Sequence, residues 1–310
     1  MHVKICFIGL GSIGKRHLRN IHEILSQRNT DYRIDCLRSS KATLSADIEM
    51  MINTIYYDLE ELDRDYDIIF VTNPTYLHFE TISKVMVYTK YLFVEKPIFD
   101  HLDYDYEELS TMLQDRCYVA CPLRFSSVIQ YLKEHLQDHK VYAARVICSS
   151  YLPQWRKEVD YRSIYSAIKE QGGGVELDLI HEWDYLSYLF GLPNNVQLVL
   201  GKYSNLEISS NDLAMYIGEY DNMLVQVHLD YFGRTTKRQI EFMTDQYTIT
   251  ADLLKSTICF EGDENFEVKL LNEDMYVKEM NYFIDMVQGK KKNINSIKNA
   301  IEILKVALGA

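Results

Sequence analysis

Over its first 120 residues the chain alternates between apolar runs and amphipathic stretches, and this alternation sets the fold class. Residues 2–8 form an apolar run that enters a glycine-rich turn, and 15–25 read as a helix. Further strands are expected at 32–37, 53–57, 66–72, 91–94 and 117–120, with helices at 78–88 and 107–113. The run 66–72 is largely apolar, as a strand covered on both faces of a parallel sheet must be. Pro74 ends it, and Thr75 is placed to cap the next helix. Strands and helices in this order predict a doubly wound parallel sheet of Rossmann type.

The pattern changes after Pro122. A helix at 126–136 and a strand at 141–148 lead into a long irregular segment, 149–174, which carries Trp155, Arg156, Tyr161, Arg162 and Tyr165. Long loops inside compact domains are often functional. A helix is expected over 175–190, closed by Gly191 with Pro193 just beyond. Strand-like runs follow at 196–200, 213–220, 223–231, 237–244, 247–251, 257–260 and 266–270, and Asp221-Asn222 is a two-residue hairpin turn. Such a meander predicts an open, mostly antiparallel sheet. Helices at 273–287 and 296–308 close the chain. The expected organisation is a dinucleotide-binding domain over 1–121 and an α/β substrate and oligomerisation domain over 122–310.

Composition narrows the function classes. With 47% hydrophobic residues in 310, the chain can bury a sizeable core. A formal net charge of -12 argues against nucleic-acid and anionic-membrane partners, while leaving room for a local basic pocket. The six cysteines form no C-x-x-C pair, and several lie in strand-like runs. They read as reduced, buried thiols, which together with a strand starting at the first residues predicts a cytoplasmic protein without a leader. Cys117 and Cys121 are four apart with no second pair, and no metal site is expected.

The turn after the first strand reads Gly9-Leu10-Gly11-Ser12-Ile13-Gly14, which is G-x-G-x-x-G with a strand before it and a helix after it. Gly9 permits the tight turn, Gly11 lets backbone approach a pyrophosphate, and Gly14 lets the helix pack on the strand. Free N–H groups at Ser12 and Ile13 then face the anion. Cofactor choice turns on the end of the second strand. Asp35 has about the right separation to bind a ribose hydroxyl but sits mid-strand, and the strand ends at Arg38-Ser39-Ser40. An arginine and two hydroxyls suit a 2′-phosphate, so NADP(H) is expected over NAD(H).

Four elements in order resemble the Gfo/Idh/MocA oxidoreductases. They are the glycine turn, Asn73-Pro74-Thr75-Tyr76-Leu77-His78, Glu95-Lys96-Pro97, and Arg124-Phe125. Gly172-Gly173-Gly174 followed by Asp178, His181 and Asp184 adds to the likeness, which spans almost the whole chain. The resemblance implies hydride transfer between a nicotinamide and a carbon of a sugar, cyclitol or nucleotide sugar. It implies cofactor contacts from Asn73, Pro74, His78, Glu95 and Lys96, and a homodimer or homotetramer formed through the open sheet. The segment from Tyr151 to Tyr165 with the following Gly-Gly-Gly resembles a subgroup associated with surface-polysaccharide sugars. One departure stands out. Members place three residues between the helix aspartate and histidine, whereas Leu179 and Ile180 leave two here.

Oxidising an alcohol carbon releases a proton that a base must take. Lys96, at a strand end and beside a cationic nicotinamide, is the candidate to take it. His181 is the candidate proton partner, and Asp178, one helical turn away, would orient it or bind a substrate hydroxyl. The run from His181 to Tyr185 begins like H-E-x-x-H but lacks the second histidine, which excludes zinc-protease chemistry there. Arg124, Arg156, Tyr161 and Arg162 are candidates for gripping an anionic or hydroxyl-rich substrate, and Trp155 for stacking on a sugar. Two alternatives remain: a non-catalytic NADP(H) sensor, and an enzyme that reduces an imine or C=C bond or couples oxidation to elimination.

Overall fold

The computed structural model describes residues 2–310. The chain divides into two compact units, 1–120 with 276–301, and 121–275 with 302–310. The first holds strands β1 (His2–Ile8), β2 (Asp31–Leu37), β3 (Thr54–Tyr56), β4 (Tyr66–Val71), β5 (Thr89–Val94) and β6 (Cys117–Val119). They pair in the order β3-β2-β1-β4-β5-β6, every pair parallel. This is the doubly wound arrangement, with its switch point between β1 and β4. Helices α1 (Ser12–Gln27), α2 (Ala46–Glu49), α3 (His78–Val85) and α4 (Tyr106–Leu113) connect the strands.

One sheet face carries an aromatic row. Phe7, Phe70, Phe93 and Tyr118 are direct cross-strand neighbours on β1, β4, β5 and β6. Phe7 stacks on Phe70 at 4.4 Å, and Phe93 lies 5.1 Å from Phe70 and 5.5 Å from Tyr118. Phe283 caps the row edge-on, 5.8 Å from Phe70 and 5.1 Å from Phe93. It comes from a helix near the end of the chain. Thus 276–301 packs with the first unit, where a single cut after 121 would leave it in the second. The reason is burial: the row presents ring faces that need an apolar cover. Arg28, just after α1, adds a polar clasp by donating to Asp285 and to the side chain of Asn281, both at 2.7 Å.

The second unit begins with α5 (Ser127–His135) and β7 (Val141–Tyr151). After the segment 152–174 come α6 (Val175–Asp178) and α7 (His181–Phe190). Strands β8 (Asn195–Gly201), β9 (Leu213–Tyr220), β10 (Met223–Asp230), β11 (Phe232–Thr244), β12 (Thr248–Asp252), β13 (Thr257–Glu261) and β14 (Phe266–Lys269) follow. They form one sheet with β7, ordered β14-β13-β12-β11-β7-β10-β9-β8. All pairs are antiparallel except β7 with β10, so the open, mostly antiparallel sheet is as expected. The Asp221-Asn222 turn closes β9 onto β10 with Tyr220 opposite Met223. Helices α8 (Met275–Val287) and α9 (Ile297–Leu308) end the chain.

Two local expectations change. The helix over 175–190 is interrupted at Leu179 and Ile180, where the N–H groups of Ile180 and Glu182 reach back three residues to Leu177 and Leu179. The segment 149–174 is shorter and more ordered than a loop: β7 runs on to Tyr151, and four single 3₁₀ turns fill much of the rest. Among the described residues no helix is long and apolar enough to cross a membrane.

Candidate active site

The three N-terminal motifs all fall at carboxyl ends of parallel strands, where open α/β sheets bind ligands. The glycine turn follows β1, Asn73 follows β4, and Glu95-Lys96 follows β5. Gly9 has φ +89°, and a Cβ there would sit 2.8 Å from the backbone of Asn73, so the two loops can be neighbours only with glycine. A Cβ at Gly14 would meet the carbonyl of Gly9 and the hydroxyl of Thr72, each at 2.7 Å. That hydroxyl donates to the Gly9 carbonyl at 2.7 Å. At Gly11, by contrast, a Cβ would meet no protein atom within 4 Å. Helix α1 starts at the next residue, Ser12, without a side-chain cap. Open space over a glycine, facing an uncapped helix N-terminus, is what a pyrophosphate needs, and the residues present fit a dinucleotide.

At the end of β2, Arg38 donates to the carbonyl of Ala42 at 2.8 Å, and the Ser40 hydroxyl accepts from the Ala42 N–H at 3.1 Å. Ser39 and Ser40 are exposed. Asp35 is wholly buried, accepting from Arg33 at 3.0 Å and from the Tyr66 hydroxyl at 3.1 Å. It is a satisfied core carboxylate rather than a ribose ligand.

Other N-terminal candidates prove to be braces. His78 is buried, and its ring spans the carbonyl of Asn73 at 3.0 Å and those of Pro97 and Ile98 at 3.1 and 3.2 Å. It ties the loop after β4 to the one after β5. Thr75 does not cap α3, for it lies in a 3₁₀ turn with no side-chain cap; Asn73 instead donates to Thr81 at 2.8 Å. The peptide Lys96–Pro97 is cis. Glu95 meets His17 of α1 at 2.5 Å, and its other oxygen accepts the Lys96 N–H at 3.2 Å. His17 was not among the expected site residues. Its signal was a polar residue on the apolar stripe of α1 formed by Gly14, Leu18 and Ile21.

Burial pushes the Glu95 carboxyl up, but His17 and Lys96 outweigh it and hold it below the ordinary glutamate range. A carboxyl depressed in the folded state stabilises fully above its unfolded value of about 4.3 and ceases to do so as pH falls through the folded value. Glu95→Gln is therefore expected to flatten the loss of stability on acidification, checked by denaturant unfolding between about pH 3 and about pH 6.

In the second unit Asp178 is the centre of a cluster. Its Oδ1 accepts from the Tyr165 hydroxyl at 2.8 Å and its Oδ2 from the Tyr231 hydroxyl at 2.5 Å. The Asp178 charge, with burial, pushes the Tyr165 hydroxyl well above its usual range; burial, with Asp178, does the same at Tyr231. Both phenols therefore stay protonated and donate. Trp155 lies edge-on to Tyr231 at 5.3 Å and donates to Ser150 at 2.9 Å, so one side of its ring is a packed anchor. Asp178 ends α6 and buried His181 begins α7, so the two do not share one continuous helix face. Tyr231 went unrecognised in sequence, although period-two burial of Val225, Val227 and Leu229 continues to it and points its phenol inward.

The arginine candidates part company. Arg124 is buried in a forked pair with Asp184, with Nη2 at 2.7 Å and Nε at 3.1 and 3.2 Å from the carboxylate. Arg162 is held by Asp160 and, at 3.0 Å, by Glu207. The Tyr161 hydroxyl accepts the Glu207 N–H at 3.2 Å. Both guanidinium groups are engaged by carboxylates, which corrects their expected role as substrate grips. Arg156 is exposed, with no carboxylate partner among the described residues. Glu182 of the His-Glu-Trp-Asp run pairs with Arg238 at 2.7 Å and is fully buried. Among the described residues no group of three His, Cys, Asp or Glu side chains could hold a metal ion.

Comparison with known proteins agrees with this geometry. Residues 3–118 match the model of the Gfo/Idh/MocA oxidoreductase family, described as having an NAD-binding Rossmann fold. That match lies within the first unit. An uncharacterized oxidoreductase of Bacillus subtilis, YrbE, is 26% identical over 59% of this chain and 52% of its own. The 2,7-anhydro-N-acetylneuraminate hydratase of Mediterraneibacter gnavus is 27% identical over 52% of this chain and 42% of its own. The chain thus spans about half the length of the curated relatives it matches. UDP-N-acetylglucosamine 3-dehydrogenase GnnA from Acidithiobacillus ferrooxidans shares the fold at a TM-score of 0.78 with 18% identity, over 99% of this chain and 96% of that one. The likeness of fold to that structure therefore covers almost the whole chain.

Proposed function

We propose that the protein is an NAD(P)-dependent oxidoreductase acting on a carbinol carbon of a sugar-type substrate. The observation that carries this reading is the strand-end cradle: Gly11 opens onto free space before an uncapped helix, and Lys96 follows β5 at the same edge of the sheet. A bound nicotinamide would supply the hydride acceptor or donor. The chain's own residues do the rest. Lys96 Nζ takes the hydroxyl proton during oxidation and returns it during reduction. Within the second unit, Asp178, fixed by two phenols, is the group that accepts a hydrogen bond from a substrate hydroxyl, and His181 is a candidate acid–base group. A pure cofactor sensor needs neither Lys96 nor a pinned Asp178.

The preferred cofactor on this reading is NADP(H). Arg38, Ser39 and Ser40 are at the strand end, and the only carboxylate of β2 near it, Asp35, is turned into the core. Arg38→Ala is expected to lower the NADPH-to-NADH affinity ratio by about tenfold, the worth of a charge-assisted contact to phosphate. Calorimetric titration of both cofactors checks it, and an unchanged ratio refutes the assignment. The overall reading is tested by incubating the cofactor-loaded protein with pools of sugars and nucleotide sugars and following nicotinamide absorbance. Tight cofactor binding without turnover on any pool would favour the sensor.

A further inference from the structure

Helix α1 carries a histidine on its buried stripe. His17 lies there with Gly14, Leu18 and Ile21 and is wholly buried. Its ring meets Phe93 edge-on at 4.9 Å and lies 6.4 Å from Phe70 and 6.1 Å from Tyr276. Its Nδ1 has no hydrogen-bond partner among the described residues. A bare ring nitrogen among aromatic side chains costs free energy, and an apolar residue would pack there without that cost. The bond at the other nitrogen offsets it.

That bond goes to Glu95. His17 Nε2 meets Glu95 Oε1 at 2.5 Å, and Glu95 Oε2 accepts the Lys96 N–H at 3.2 Å. The Glu95 carboxylate is buried, and the Glu95 N–H donates to the Val71 carbonyl at 2.9 Å, so the residue is fixed at both ends. The Lys96 charge also acts on this carboxylate. One carboxylate thus joins α1 to Lys96. On the far side of Lys96, His78 reaches the carbonyls of Pro97 and Ile98. Lys96 is therefore bracketed by two histidines, one acting on the residue before it and one on the residues after it.

The start of α1 gives this link its meaning. The helix begins at Ser12, beside the open space over Gly11. His17 follows by about one and a half turns. The element on which a dinucleotide would rest is the same one that holds Lys96 in place. A proton acceptor tied to the cofactor's own support keeps its register with the cofactor, and misplacing a reacting group by about 1 Å can cost about 10²-fold in rate.

We propose that His17 is a positioning residue for Lys96, acting through the Glu95 carboxylate. This rests on the oxidoreductase reading above and adds to it a residue that works at one remove from the chemistry. A histidine that only filled the core could be replaced by any side chain that packs. A positioning histidine needs a donor where Nε2 stands.

His17→Gln, His17→Asn and His17→Ala in the full chain separate the two. The glutamine amide ends near the place of Nε2 and can donate to Glu95, whereas the asparagine amide ends near the place of Nδ1 and falls short. The first readout is hydrogen exchange of the Lys96 backbone amide, followed by NMR without substrate. It should speed up at least about tenfold in His17→Asn and His17→Ala and stay near wild type in His17→Gln, while the amides of β5 keep their wild-type rates. The second is steady-state kinetics on an active sugar. There kcat should fall about 10–100-fold in His17→Asn and His17→Ala, with little change in KM for sugar or cofactor, and recover in His17→Gln. Wild-type exchange at Lys96 in His17→Asn overturns the proposal, as does identical behaviour of the glutamine and asparagine variants. Faster exchange throughout β5 also overturns it, since that marks a loosened core and not one lost bond. Thermal melting shows which variants are folded, and the glutamine–asparagine pair carries the comparison if His17→Ala is not. The two readings fail separately. A donor-dependent Lys96 amide with no turnover on any sugar removes hydride transfer and leaves the link from His17 to Lys96. Full turnover in His17→Asn removes the positioning role and leaves hydride transfer.

Discussion

Lys96→Met is expected to lower turnover by roughly 10²–10⁴-fold, the usual worth of a positioned acid–base group, while the cofactor still binds. The methionine keeps the length of the side chain and removes only the proton acceptor. The backbone N–H of residue 96, which donates to Glu95, is retained in the variant. Steady-state kinetics on whichever sugar proves active, paired with cofactor titration, separates the outcomes. Loss of turnover with retained cofactor affinity supports a proton role for Nζ. Full turnover removes Lys96 from the chemistry. Loss of both points to collapse of the strand-end loop, and Lys96→Arg then tells charge from shape.

A second large effect is expected away from the chemistry. Arg124→Ala strands the Asp184 carboxylate in the interior of the second unit, and removal of one partner of a buried pair costs about 3–5 kcal/mol. Burial already pushes the Asp184 carboxyl above the ordinary aspartate range, with Arg124 opposing it. Without that opposition the folded-state pKa rises further. A carboxyl raised in the folded state destabilises as pH climbs past its unfolded value, so the variant should lose more stability at about pH 8 than at about pH 5. Replacing both partners, Arg124→Met with Asp184→Leu, should cost much less than either single change. Denaturant unfolding of the three variants at both pH values checks the sign and the rank order.

The same arginine shows where sequence reading stops. The glycine turn, the Asn-Pro-Thr run and Glu-Lys-Pro were legible because each is local: strand, breaker and helix lie within a few residues. The structure places all three at one edge of one sheet. What could not be read is which charges are satisfied by distant partners. Arg124 and Asp184 are 60 residues apart, and Glu95 and His17 are 78 apart. Of the arginines singled out in sequence, Arg124 and Arg162 are paired with carboxylates, whereas Arg156 has no carboxylate partner among the described residues. The return of 276–301 to the first unit was hidden for the same reason. Helical periodicity reports that a face is apolar and says nothing of which sheet covers it.

The pause between α6 and α7 bears on how such a site can change over generations. Asp178 is held from outside its own helix, by Tyr165 ahead of it and Tyr231 beyond it. The second half, α7, is moored by its own pairs, Glu182 to Arg238 and Asp184 to Arg124. Each half is thus anchored independently, and the two residues between them act as an expansion joint. A residue gained or lost there alters the separation of acid and histidine along the chain without uprooting either mooring. A change in the length of the two-residue interval would therefore leave both sets of moorings in place.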